Sequence, residues 1–133
     1  MQRRTDFLVI GSGVAGLSFA LDAAAHGQVT VLAKKRLDET NTSYAQGGIA
    51  AAVAPEDSAA EHERDTLACG AGLNREDAVR FLVERGPEAV RCLERWGVRF
   101  SGGAGGGPTP LDLGREGGHS QRRVLHAGDF TGK

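Results

Sequence analysis

The stretch F-L-V-I-G-S-G-V-A-G, residues 7–16, decides the fold. Four apolar residues run directly into Gly11, Gly13 and Gly16, the G-x-G-x-x-G spacing, and Leu17, Ala20, Leu21 and Ala24 follow at helical intervals. That order reads as strand, tight turn, helix. A buried strand delivers the chain to a turn where side chains would collide with a ligand. Gly11 permits the turn, Gly13 lets the backbone approach a pyrophosphate, and Gly16 lets helix and strand pack closely. The pyrophosphate then rests on the unpaired N–H groups and positive dipole end of the helix. The spacing alone is weak in a chain with 20 glycines, and a turn that binds nothing is the plain alternative. The flanking strand and helix favour dinucleotide binding.

Working outward, the helix runs from Val14 to about Ala25, and His26-Gly27 ends it. Residues 29–32, Val-Thr-Val-Leu, read as the next parallel strand, so the first 34 residues form most of a β-α-β unit. A dinucleotide site usually carries an acid at the end of this second strand, for the ribose. Here the chain reads Ala33-Lys34-Lys35-Arg36, and the first acids, Asp38 and Glu39, come late. That argues against an ordinary NAD site and leaves open NADP or another dinucleotide held differently. Residues 40–52, T-N-T-S-Y-A-Q-G-G-I-A-A-A, carry no charge but many neutral donors and acceptors. They suit a large, flat, partly polar ring system, or else a connector that satisfies its own backbone.

Composition narrows the class. The chain has 133 residues, enough for one small domain, with 40% hydrophobic residues and a net charge of -1. That balance, with no basic stripe, gives no case for nucleic acid. No run reaches membrane-spanning length, and the apolar run after Met-Gln-Arg-Arg is too short for a signal peptide. Cys69 and Cys92 form no C-x-x-C, and no histidine cluster has metal-ligand spacing. No metal is expected, and a reduced, cytoplasmic setting is.

Further along, residues 59–69 read as a helix with His62 facing solvent. Asn74 caps a second helix with Ala78, Val79, Leu82 and Val83 as its stripe. Gly86 ends that helix and Pro87 opens another, which buries Ala89, Val90, Leu93 and Trp96. Cys92 reads as a small core or boundary residue. Residues 98–100 read as a short strand, and 101–110, with five glycines and two prolines, as a loop. The remainder reads as a charged turn, a strand at 123–127 and a helix start at Asp129. A strand flanked by Glu116, His119, Arg122, Arg123 and His126 suggests a bound polar group.

The motif S-Y-A-Q-G-G-I-A at residues 43–50, about 30 residues after G-S-G-V-A-G-L, resembles the flavoprotein family of succinate dehydrogenase, fumarate reductase and L-aspartate oxidase. The resemblance implies an α/β, Rossmann-like FAD-binding domain with a parallel sheet. It implies that Gly11, Ser12, Gly13, Val14, Ala15 and Gly16 hold the pyrophosphate and that Lys34 lies by the ribose. Asn41, Thr42, Ser43, Tyr44, Ala45, Gln46, Gly47 and Gly48 would line the flavin. Membrane-bound members carry a flavin-linked histidine where this chain has Asn41, so the FAD is expected to be non-covalent. The stretch H-E-R-D-T-L-A-C-G-A-G-L, residues 62–73, resembles a scaffold segment near the family's active site and is given no chemistry.

The pattern R-E-G-G-H-S-Q-R-R-V-L-H-A-G-D-F-T-G, residues 115–132, is similar to that of the L-aspartate oxidase branch. The dicarboxylate-specific branches lack the acid at Glu116. Aspartate adds an ammonium, which a carboxylate can pair with by a charge-assisted hydrogen bond, whereas the same carboxylate repels a plain dicarboxylate. The resemblance thus implies Glu116 as the specificity residue. It implies FAD-dependent oxidation of L-aspartate to iminosuccinate, with oxygen or fumarate as acceptor and a product that feeds quinolinate formation in NAD synthesis. The family's proteins are several times longer, and the resemblance makes residues 1–133 the N-terminal part of the FAD-binding domain. Capping and C-terminal helical domains are absent from these 133 residues, the family's active-site arginine lies beyond Lys133, and no catalytic residue is assigned within the chain. The alternatives are a soluble fumarate reductase or succinate dehydrogenase flavoprotein, and a truncated FAD-binding module without turnover.

Overall fold

The computed structural model describes residues 3–102, 111–128 and 131. The expected loop at 101–110 lies mostly outside these residues, and so does the helix start at Asp129. The chain divides into two compact units, the first formed by Met1–Gln46 and the second by Gly47–Thr131.

In the first unit, β1 (Phe7–Ile10) pairs in parallel with β2 (Val29–Leu32), Phe7 opposite Val29 and Ile10 opposite Leu32. The intervening helix α1 (Val14–Ala23) makes the crossover. Both strands match the expected bounds, and α1 stops two residues early, where the His26 amide donates to the Ala23 carbonyl at 2.9 Å. The Asp6 carboxylate accepts from the Gln28 amide at 2.7 Å and so fixes the start of β2. Phe7 and Phe19 meet edge-on, with ring centroids 6.4 Å apart, and tie α1 to the sheet. Leu8, Ile10 and Leu32 are each more than half exposed.

The second unit holds α2 (Ala59–Cys69), α3 (Glu76–Arg95) and three two-residue strands: β3 (Ile49–Ala50), β4 (Leu113–Gly114) and β5 (Val124–Leu125). These form an antiparallel sheet in the order β3-β5-β4. Its core is Ala51, Val90, Phe100 and Leu125. The expected strand at 98–100 does not form. Phe100 is instead a buried plug, 5% exposed. The strand expected at 123–127 shrinks to Val124–Leu125.

The helix α2 matches its expected bounds, and Ser58 caps it by accepting from the Glu61 amide at 3.2 Å. The two helices expected either side of Gly86 are one continuous helix, α3, with Pro87 inside it. Gly86 is not a stop signal: the helix continues through it, and a Cβ there would stand in ordinary contact with the Ala51 Cβ, 3.4 Å away. Val79, Val83 and Val90 carry one buried stripe across Pro87, and their burial outweighs the single backbone bond that Pro87 forgoes. Asn74 does not cap; Arg75 stands at that position without a side-chain bond. Ala78, Leu82 and Ala89 lie off the stripe and are exposed, and Trp96, expected in the core, is 40% exposed at the helix end.

His62 is the clearest reversal. It is 7% exposed, not solvent-facing. With Thr66, Val79 and Val83 it lines a cavity of ≈ 470 Å³ beside α2 and α3. Burial holds its imidazole below the ordinary histidine range, and the positive charge of Arg123 adds to that.

Arg123 is fully buried. Its guanidinium makes a bidentate pair with Asp57, Nε to Oδ2 at 2.7 Å and Nη2 to Oδ1 at 2.8 Å, and donates from Nη1 to Asp65 Oδ2 at 2.7 Å. The Asp57 side chain is fully buried too. Arg123→Met should therefore strand a buried carboxylate and cost about 3–5 kcal/mol in urea unfolding, whereas replacing all three residues by apolar ones should recover much of that loss. Hydrogen bonds from the Ser120 amide and hydroxyl, then the Arg123 pair, bring the Asp65 carboxyl down to about 2. A carboxylate depressed in the folded state stabilises above its unfolded pKa and loses that contribution as pH falls toward 2. A buried neutral histidine loses its contribution as pH falls below 6.5. Stability should thus decline in two acid steps. His62→Leu should remove the upper step and Asp65→Asn the lower, as read by urea midpoints across pH.

Candidate dinucleotide site

A cavity of ≈ 540 Å³ lies in the first unit, over the turn after β1 and the end of β2. Such a volume is within the ordinary range for ligand sites. Gly11, Ser12 and Gly13 form one side, Ala33, Lys34 and Lys35 another, and Glu39, Thr40, Asn41, Thr42 and Tyr44 a third.

The glycines have distinct roles. Gly11 has φ +107°, in the left-handed region that favours glycine. A Cβ at Gly16 would overlap the Gly11 carbonyl oxygen, so this glycine is needed for the helix to start where it does. Gly13 is the N-cap of α1 and supplies no side-chain cap, and the first turn of the helix holds no acid. The helix start is therefore left open to an anion.

Thr42 closes part of that start. Its hydroxyl accepts from the Val14 amide at 3.1 Å, across 28 residues of sequence. The segment that follows β2 is thus tied directly to the glycine turn. Within that segment, Thr40 Oγ1 accepts from the Ser43 amide at 3.1 Å and forms a local turn. Lys35 pairs with Glu39 at 3.2 Å, and Arg36 with Asp38 at 3.0 Å. Lys34 has no ion pair among the described residues, so it leaves the cavity wall net positive. An open helix start, a glycine cradle and an uncompensated lysine are together a donor set that fits the linked phosphates of a dinucleotide.

Of the residues singled out in the sequence, the cavity brings together Gly11, Ser12, Gly13, Lys34, Asn41, Thr42 and Tyr44. Val14 joins through its amide, while Ala15 and Gly16 belong to the first turn of α1. Ser43, Ala45 and Gln46 lie in the same segment but are not on the cavity wall. Gly47 and Gly48 fall in the second unit. A Cβ at Gly48 would overlap Val124 and the Leu125 carbonyl, so that residue serves the β3–β5 contact. Lys35, Glu39 and Thr40 line the cavity without having been expected there, and only their place just after the second strand could have suggested it.

Glu116 is exposed on the turn between β4 and β5 and makes no ion pair among the described residues. Its carbonyl accepts from the His119 amide at 3.2 Å. Three of the charged or basic side chains near it find partners inside the unit. Arg123 is in the buried cluster, His126 Nε2 is 3.4 Å from Asp112, and Arg122 donates to the Leu113 carbonyl at 3.3 Å. Those side chains need no bound group to explain them, whereas Arg115 and Glu116 are both exposed and make no ion pair among the described residues.

Two substitutions separate cradle from tie. Gly16→Ala should force the turn apart and abolish saturable FAD binding in a fluorescence titration. Thr42→Val should weaken it about five- to tenfold, the worth of about one hydrogen bond, with the unfolding midpoint nearly unchanged.

Residues 6–133 match the family model described as FAD binding domain. The chain is 49% identical over 131 residues to L-aspartate oxidase 2-a, chloroplastic, of Nicotiana tabacum, covering 98% of this chain and 20% of that protein. It is 50% identical over 129 residues to L-aspartate oxidase of Streptomyces coelicolor, covering 96% of this chain and 22% of that protein. Among solved structures, E. coli quinol fumarate reductase superposes with a TM-score of 0.86 at 32% identity, over 99% of this chain and 23% of that one. The chain thus spans about a fifth to a quarter of the length of the relatives it matches. FAD is the cofactor of this family, and the expected α/β fold with a parallel sheet is the one observed. A glycine-cradled helix start, matched along nearly its whole length to these proteins, places the chain in the FAD-binding flavoprotein family of succinate dehydrogenase, fumarate reductase and L-aspartate oxidase.

Proposed function

We propose that this chain forms the pyrophosphate-binding part of an FAD enzyme that oxidises L-aspartate to iminosuccinate, and that it also carries the residue which selects the substrate amine. The observation that carries the reading is Glu116, an exposed carboxylate on the turn between β4 and β5 that makes no ion pair among the described residues. Among the relatives, those sharing 46–50% identity are named L-aspartate oxidase. That name supports the reading over a fumarate reductase or succinate dehydrogenase.

Gly11, Gly13 and the start of α1 would hold the FAD pyrophosphate, with Lys34 offsetting its charge. Thr42 would keep the segment 40–46 against the turn, and Asn41 and Tyr44 would present polar groups to the rest of the cofactor. Asn41 stands where the flavin-linked histidine of membrane-bound members would be, which supports non-covalent FAD. The two-electron oxidation is the chemistry that FAD supplies when bound, with oxygen or fumarate taking the electrons. Glu116 would accept a charge-assisted hydrogen bond from the substrate ammonium and repel a plain dicarboxylate. The imine product would suit the condensation that leads to quinolinate. Residues 1–133 would form the N-terminal part of the FAD-binding domain. The exposed Cys69 and half-buried Cys92, both free, support a reducing, cytoplasmic setting. Among the described residues, no helix is long and apolar enough to cross a membrane.

The test is a titration of the FAD-loaded protein with L-aspartate and with succinate, followed by flavin absorbance. The native protein should bind aspartate at least tenfold more tightly. Glu116→Gln should lose about tenfold or more in aspartate affinity while succinate binding holds or improves, as expected for a lost charge-assisted bond. Equal affinities in the native protein would sink the reading.

A further inference from the structure

The turn between β4 and β5 carries Glu116 together with Gly117 and Gly118, and residues of this kind are costly to order. Three side chains on one face of α2 hold it down. Glu61, Asp65 and Cys69 are spaced by four, so they stand one above another along the helix. Glu61 Oε2 accepts from Gln121 Nε2 at 3.3 Å. Asp65 Oδ2 accepts from both the amide and the hydroxyl of Ser120, each at 2.8 Å. The Cys69 thiol donates to the Gly118 carbonyl at 3.6 Å. The turn therefore runs antiparallel to α2, with one grip per helical turn.

Asp65 is the central grip. The same Oδ2 also accepts from Arg123 Nη1 at 2.7 Å, and Asp57 clamps that guanidinium from the other side. Gly118 has φ +85°, and a Cβ there would overlap the Cys69 sulfur, so the turn can lie this close only as glycine. The His119 ring leans on His62, with centroids 5.6 Å apart, and its backbone amide reaches the Glu116 carbonyl. A chain of bonds thus leads from Asp65 through Ser120 and His119 to the backbone of Glu116.

We propose that Asp65 is a positioning residue for substrate selection: by holding Ser120 and Arg123 it fixes the 115–121 turn, and with it the place of the Glu116 carboxylate. The proposal rests on the reading of Glu116 as the group that meets the substrate ammonium. An ionised acid is needed because one oxygen accepts three bonds, one of them from a guanidinium. Asparagine keeps the shape and loses the charge.

The experiment compares Asp65→Asn, Ser120→Ala and Glu116→Gln in the FAD-loaded protein by two measurements. Amide hydrogen exchange across residues 115–121, without substrate, reads the turn itself. The ratio of aspartate to succinate affinity reads its consequence. Asp65→Asn should speed exchange in the turn about tenfold and lower the affinity ratio about tenfold. Ser120→Ala, which removes one hydroxyl bond, should do each about threefold. FAD affinity should stay unchanged, and exchange in the buried stripe of α3 should rise much less than in the turn, whereas a merely destabilising change would speed both alike. Unchanged exchange in the turn overturns the proposal. So does a ratio that survives both substitutions while Glu116→Gln abolishes it, and the Glu116 reading then stands alone. A ratio indifferent to Glu116→Gln sinks that reading, and the role of Asp65 in selection falls with it. If Asp65→Asn does not fold, Ser120→Ala decides, since its side chain is not part of the buried ion cluster's core.

Discussion

A fully buried guanidinium sets the terms for the second unit. Arg123 sits at the start of β5 without access to water, so each of its charged faces must be answered by protein. Asp57, just before α2, answers one face, and Asp65, two turns into α2, answers another. The arrangement joins a strand, a helix and the approach to that helix through a few short bonds. The three strands of this unit are only two residues long and could not specify their own register. The ion cluster and the core of Ala51, Val90, Phe100 and Leu125 supply what the strands lack.

The first unit depends on close backbone approach instead. Its turn works because side chains are missing at Gly11 and Gly16, and its helix start stays open because Gly13 offers no cap. The hydroxyl of Thr42 then joins the segment after β2 to that start. One unit thus presents unpaired backbone donors and a free lysine, whereas the other buries Arg123 in an ion cluster and leaves Arg115 and Glu116 exposed on its β4–β5 turn.

Glycine has three different meanings in this chain. At Gly11 it permits a left-handed backbone, and at Gly48 it permits close packing. At Gly118 both apply. A reading that treats glycine as a stop signal succeeds at Gly97, which has φ +100° and follows α3, and fails at Gly86, where the helix continues.

The sequence alone determined the elements that rest on local order. Residues 7–34 form a strand, turn, helix and strand because a short apolar run, a glycine spacing and a helical stripe each act over a few residues. The bounds of α2 followed from its sequence in the same way, and the structure adds the Ser58 cap. Burial was decided by tertiary structure. His62 and Trp96 exchanged their expected environments because exposure depends on which face of a helix meets a neighbour remote in sequence. β3 and β4 are too short to show a period, so only their pairing with β5 makes them strands. The charges near residue 123 gave notice of a polar centre. Their division into a buried Arg123 and a free Glu116 was legible only once Asp57 and Asp65, some sixty positions earlier, were brought beside them, because no local pattern records which opposite charge will be near.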